Sequence, residues 1–200
     1  MNFDPTIPQE LPDHPPLTPK AAAQFQAAAD SAAAGRPIID PHANCIPLGM
    51  PRLMSMPFLM EILPAADKVT VIGEEQSQVR RIWTDGCGVT DDVYPSYNGY
   101  SYGHWQGSTL IARTVQMRAD VPINSKGLMR SDNLVVDERF WLTDHDTLKL
   151  EMTLTDPETF AKPWVVVKTF RRTHDALHEY VCEENNRHGF EPPAVTGARP

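Results

Sequence analysis

The chain is poor in the features that usually announce a function. Its three cysteines, Cys45, Cys87 and Cys182, are too few and too scattered for a disulfide scaffold or a paired-cysteine metal knuckle. No apolar stretch approaches the roughly 20 residues of a membrane-spanning helix, so no membrane partner is expected. No run of Lys or Arg interrupts a formal charge of −8, and nucleic acid, which demands a basic footprint, is not expected as a partner either. No G-x-G-x-x-G turn or phosphate-binding loop is present, which argues against a nucleotide, and no G-x-S-x-G elbow carries a nucleophile. The expectation is therefore a protein that works without a cofactor.

Metal spacing is equally thin. His174 and His178 would share one face of a helix, but here they straddle a turn, and His42 with Cys45 is a lone pair in a proline-rich loop. Neither has the ligand number of a zinc site. Met1 to Pro19 is polar and proline-rich, without the basic and then apolar regions of a secretory signal. As it stands the chain reads as cytoplasmic, or as periplasmic if it is the mature part of an exported precursor.

What is present is enough for a core. The 200 residues are 41% hydrophobic and 22% charged, the balance of one folded domain. The prolines of residues 1–17 fix φ and remove amide donors, which predicts an extended arm that wraps the surface or stays mobile. Thr18-Pro19 then opens a helix over 18–34, with Thr18 as N-cap and Gly35 as stop. Its only large apolar residue is Phe25, so it reads as a packing cap or a lid. Prolines from Pro37 to Pro57 forbid a long helix or a central strand, and Met50, Met54, Met56 and Met60 cluster there to fill core gaps or line an adaptable site.

Beyond this the pattern is β. Phe58–Leu63, Val69–Glu74 and Gln78–Thr84 are short runs, the last two joined at the polar turn Glu75-Gln76-Ser77. Tyr100–Gln106 and Thr109–Met117 face each other across Gly107-Ser108, a type II′ signal. Leu134–Leu142 and Thr147–Thr155 form the clearest hairpin, followed by Trp164–Arg172 and a less marked Leu177–Cys182. The fold class expected is mainly β: an antiparallel up-and-down, calycin-like barrel of eight or nine strands with one N-terminal helix. It occupies residues 18–190, and 191–200 form a tail.

Alternation assigns the inner face. Leu148, Leu150, Met152 and Leu154 share one side of their strand. Leu134, Val136, Glu138, Phe140 and Leu142 share a face broken by a carboxylate, and Trp164, Val166, Lys168 and Phe170 one broken by a lysine. An inward charge is costly, so each must pair, shift its pKa, or touch water or ligand. Glu138, paired with Lys168, Arg80 or Arg81, is thus a candidate general acid or base, the plainer reading being a structural ion pair. His104 is the second candidate, within an aromatic arm carrying Tyr97, Tyr100, Tyr102 and Trp105 that can stack an aromatic ligand and hydrogen-bond its polar end. The plainer reading there is an aromatic core strand with a satisfied histidine. Catalytic roles fall to His104, Glu138 and Tyr102, and ligand contacts to Trp105, Tyr97, Tyr100, Phe140, Lys168, Arg81 and Trp164.

The cysteines leave two readings open, three reduced thiols or one long bridge between Cys45 and Cys182 with Cys87 free. Several strings bear on this together: Cys45-Ile46-Pro47-Leu48-Gly49-Met50-Pro51, Gly103-His104-Trp105-Gln106-Gly107, Glu138-Arg139-Phe140, Asp156-Pro157-x-x-Phe160-x-Lys162-Pro163-Trp164 and Tyr180-Val181-Cys182-Glu183-Glu184-Asn185-Asn186. Over roughly residues 40–190 the chain resembles a largely uncharacterised bacterial protein family, many of whose members look exported. The resemblance implies no catalytic residue, but it favours the Cys45–Cys182 bridge. Tyr97, Tyr100 and Tyr102 depart from that family's pattern and mark where a specialised ligand site would be built.

The function expected is binding of a small hydrophobic or aromatic molecule in a barrel pocket, with conversion by cofactor-independent acid–base chemistry of the lyase, hydratase or isomerase type. The competing readings are a non-catalytic carrier, alone or as a homodimer, and an interaction domain whose barrel is filled by its own side chains. A pocket lined only by apolar residues, with His104 and Glu138 outside it, would favour the carrier.

Overall fold

The computed structural model describes residues 1–5, 14–36, 40–90 and 92–185. The expected tail 191–200, the middle of the N-terminal arm and the last residues of the Glu183–His188 string, a candidate for the barrel rim, lie outside them. The strands are β1 (Asn2–Pro5), β2 (Met60–Pro64), β3 (Lys68–Gly73), β4 (Val79–Trp83), β5 (Tyr100–Gln106), β6 (Thr109–Val115), β7 (Val135–Leu142), β8 (Thr147–Thr155) and β9 (Trp164–Thr173), with one α-helix, α1 (Pro19–Ala33). They close into a barrel in sequence order, β9 returning to β1.

Closure with nine strands imposes a constraint of its own. A ring in which every neighbour is antiparallel needs an even number of strands, so one seam must be parallel. That seam is β4–β5, where Ile82 pairs with Ser101 and Trp83 with Tyr102. A parallel neighbour cannot follow from a tight turn. Residues 84–99 supply the long connection that carries the chain back along the barrel, in place of the uniform antiparallel meander expected.

Two further expectations are corrected. The N-terminal arm does not merely wrap the surface: Asn2–Pro5 pairs with β2 on one side and β9 on the other, and so closes the ring. Phe3, 3% exposed, anchors it in the core, and Pro5 is tolerated because it ends the strand. Leu177–Cys182 forms no strand. The free edge of β9 is already taken by β1, and the segment runs across the barrel end instead, the His178 amide donating to Glu74 Oε2 at 3.2 Å.

The remaining elements follow the local chemistry. Thr18 caps α1, its Oγ1 accepting from the Ala21 amide at 3.2 Å. Gly107, at φ +61°, opens the β5–β6 turn with the positive angle that an L side chain rarely adopts. One end of the barrel is closed by the proline-rich segment, whose Leu48, Met50, Leu53 and Met54 are buried. The Met50 amide donates to the Tyr97 carbonyl at 3.0 Å, and Gly49 passes so close to Tyr97 that a Cβ there would collide with its backbone. Met117, Ile123, Leu128 and Leu134 complete this end of the core. The opposite end, ringed by the β2–β3, β5–β6 and β7–β8 turns, stays open. No helix among the described residues is long and apolar enough to cross a membrane.

If β1 is a barrel strand, Phe3→Ala should cost about 3–5 kcal/mol of stability, the scale of a core aromatic truncation. Urea denaturation at neutral pH measures it, and a loss below about 1 kcal/mol would place the arm outside the core.

Candidate functional site

The open end holds a pocket of about 110 Å³. Its wall comes from Phe3 of β1, Ile62 and Pro64 of β2, Val69 and Val71 of β3, Ile82 of β4, Trp105 of β5, Leu110 of β6, Phe140, Trp141 and Leu142 of β7 and Leu148 of β8. Met1 and Ser108 complete the lining, and among the described residues Ser108 is its only hydroxyl-bearing side chain. Strand alternation explains most of the uniformity, since every other residue from each strand projects inward, with Trp141 between Phe140 and Leu142 as the exception. The rim is exposed apolar surface: Met1, Trp105 and Leu142 are 50%, 47% and 48% exposed.

Below this apolar layer lies a closed polar one. Arg80 and Glu138 are each 1% exposed and form a two-pronged ion pair. Arg80 Nη1 donates to Glu138 Oε1 at 2.9 Å, and Nη2 donates to Oε2. Arg80 Nε also donates to Ser101 Oγ at 3.0 Å and Nη2 to Thr114 Oγ1 at 2.9 Å, while the Thr114 hydroxyl reaches Glu138 Oε2 at 3.2 Å. Of the candidate partners for Glu138, Arg80 is the one that engages it. Arg81, one residue on, projects outward into solvent. Lys168 is buried on the inner face opposite Leu150 of β8. Both oxygens of Glu138 are taken, which matches the plainer reading of a structural ion pair.

The aromatic arm divides between the two faces. Ser101, Gly103 and Trp105 project inward, and Tyr100, Tyr102 and His104 outward. His104, opposite Ile111 of β6, is exposed and borders a shallow hollow of about 390 Å³ on the outer surface, with Gln106, Asp137, Glu138, Arg139, Glu151 and Thr153, although the Glu138 carboxylate is buried on the inner side. Tyr102 faces Arg113, whose guanidinium is held by Asp137 at 2.7 and 3.0 Å. Tyr100 and Tyr102 lie 6.2 Å apart, and Tyr97 stacks under Arg118 at 4.7 Å, away from both. Trp164 is buried against Phe160 at 5.5 Å. The barrel wall therefore separates His104 and Tyr102 from Glu138. Of the residues singled out in the sequence, Trp105 and Phe140 meet in the mouth, and Glu138 and Lys168 lie inside without lining it.

A cluster at the plugged end is legible in the sequence only in its cysteine bridge, the pairing that the resemblance favours. Cys45 and Cys182 are joined as a disulfide, their Cα atoms 5.7 Å apart, which replaces the three-thiol reading; Cys87 is exposed and unbridged. The bridge clips the segment carrying His42 to the one carrying Tyr180, which packs edge-on against Phe58 at 6.0 Å. His42 Nε2 lies 2.6 Å from Oε1 of the buried Glu75. That carboxylate holds the imidazole pKa above its ordinary value, against the burial that lowers it. Glu75 looks like a solvated turn residue in sequence. Positive φ angles at Gln76 and Ser77 coil the turn so that it points inward, and alternation does not extend to such turns. Beside it, Arg52 grips Asp40 with both terminal nitrogens, one at 2.8 Å.

No protein-family model matches the chain, and no curated protein does either.

The buried Arg80–Glu138 pair and the half-buried His42–Glu75 pair each have a stability signature. Glu138→Gln should destabilise the barrel by about 3–5 kcal/mol because it strands a buried guanidinium, whereas Arg80→Met with Glu138→Leu should recover most of that loss. Urea midpoints of the three proteins decide it, and a Glu138→Gln protein as stable as the wild type would contradict the structural role. His42 has its pKa raised by folding, so its contribution is complete below its unfolded value and fades as pH climbs through the folded one. The stability gap between wild type and His42→Ala should accordingly shrink from about pH 5 to about pH 9, and a gap that widens would overturn the assignment.

Proposed function

We propose that this is a non-catalytic binding protein whose open barrel mouth takes a small apolar or aromatic group. The observation that carries the reading is the composition of the mouth: a concave wall of aliphatic and aromatic side chains with, among the described residues, Ser108 as its sole hydroxyl and no ionisable side chain. Acid–base conversion needs a titratable group beside the ligand. His104 faces outward, and Glu138 already has its oxygens engaged by Arg80 and Thr114.

Volume sets the size of the guest. About 110 Å³ accommodates a single ring or a short alkyl end, well below the clefts that enclose a whole drug-sized molecule. A larger amphiphile would seat its apolar tip in the mouth and leave its polar part in water over the turns. Burial of such a tip contributes about 25 cal/mol per Å² of apolar surface removed from water, so binding is weak to moderate and reversible. A disulfide that bridges positions 137 residues apart fits a protein that matures in an oxidising compartment, which agrees with the exported look of the family it resembles.

Titration with the neutral fluorophore N-phenyl-1-naphthylamine tests the reading, because its emission rises on entry into an apolar site. Saturable enhancement is expected, with Trp105→Ala and Leu142→Asp each weakening it by about fivefold or more at unchanged stability. Absence of saturable binding to the wild type, or equal binding by both variants, would defeat the proposal.

A further inference from the structure

A second cavity lies outside the barrel. It is a groove of about 560 Å³ between α1 and residues 120–131, with Glu158 and Thr159 at one edge. From α1 come Lys20, Gln24 and Phe25, and from the facing wall Pro122, Leu128 and Arg130. The wall is therefore half apolar, and its charged members differ in how far they are satisfied.

Both acids of the groove are engaged. Asp120 accepts from Arg118 Nε at 2.9 Å and from its Nη2, and Glu158 Oε1 accepts from Asn133 Nδ2 at 3.0 Å. The nearby Asp156 is sealed by the Ser131 and Thr159 hydroxyls, each at 2.8 Å. Arg130 is the exception. It is 5% exposed; Nε donates to the Arg118 carbonyl at 2.8 Å and Nη1 to the Met50 carbonyl at 2.6 Å, but the buried Nη2 meets no acceptor among the described residues. Burial without a hydrogen-bonded carboxylate pushes the guanidinium pKa down to about 10. An open donor on a desolvated cation is the costliest unmet valence a groove wall can carry, and an anionic acceptor relieves it most.

We propose that this groove binds a monocarboxylate with an apolar alkyl or aromatic body. The carboxylate would accept from Arg130 Nη2 with Lys20 across the groove, and the apolar body would lie along Phe25 and Leu128. Nη2 is itself covered, so the ligand reaches it only where the wall yields. In this proposal helix α1 is the wall that moves. Ala21 is its only buried side chain, and it is tied to the barrel at its N-terminal end, where Thr18 bonds Glu158 and Thr159 and Leu17 pairs with Phe160. The site is independent of the mouth, which lacks any charged side chain.

Isothermal titration of the whole protein with octanoate, 1-octanol and inorganic phosphate tests it. In Trp105→Ala protein, whose mouth holds alkyl ends weakly, octanoate should still bind saturably, and 1-octanol and phosphate should each bind at least about tenfold more weakly, since one lacks the charge and the other the apolar body. Arg130→Gln should weaken octanoate about tenfold. Because Arg130 also holds Met50, that variant can lose its fold; Lys20→Ala and Phe25→Ala, at accessible positions on α1, probe the same groove and should each weaken octanoate about threefold or more. The proposal is overturned if octanoate does not saturate, if octanol or phosphate matches it, if the α1 variants bind normally, or if Trp105→Ala abolishes binding.

Discussion

The Arg80–Glu138 pair sits behind one of the two shortest ladders of the barrel, the other being β1–β2. Nine strands cannot close without a parallel seam, and the β4–β5 seam has a register only two pairs long. Behind it, one guanidinium ties β4 to β5 through Ser101, to β6 through Thr114 and to β7 through Glu138. Four consecutive strands are thus fastened from the inside, where the ladder alone is short. A hydrophobic side chain at position 80 would fill the space but could not reach across three neighbours with directional bonds. This brace also divides the interior: an apolar mouth above it, a packed methionine-rich plug at the other end.

Much of this architecture is legible in the sequence, and the legible part has a common cause. Period-two alternation identifies the inner faces of β7, β8 and β9, and with them the inward Glu138 and Lys168, because those strands are long and lie in regular antiparallel pairs. Turn chemistry locates Gly107-Ser108, and cap chemistry locates Thr18. The features that stay hidden depend on closure or on irregular backbone. Asn2–Pro5 is too short to announce itself as a strand, and pairs because two edges would otherwise stay open. Glu75 turns inward on an irregular coil, and Arg130 lies in a loop without periodicity.

The candidate site is only partly readable for the same reason. Sequence places His104 and Trp105 in one aromatic arm, and strand geometry sends them to opposite sides of the wall. Within this strand neighbouring side chains point to opposite faces. The residues that chemistry would nominate first, His104 and Glu138, are respectively outside and sealed, while those that line the opening are ones a sequence offers in abundance. Function here rests on shape and apolarity, which single positions do not signal.

Methyl-resolved NMR during titration with toluene tests this division most directly. The account predicts that shift changes concentrate on Val69, Ile82, Leu110, Leu142 and Leu148, methyl-bearing residues of the mouth. Changes centred on Ile111 at the outer hollow, or on Leu128 beneath α1, would contradict it, as would a spectrum that toluene leaves untouched.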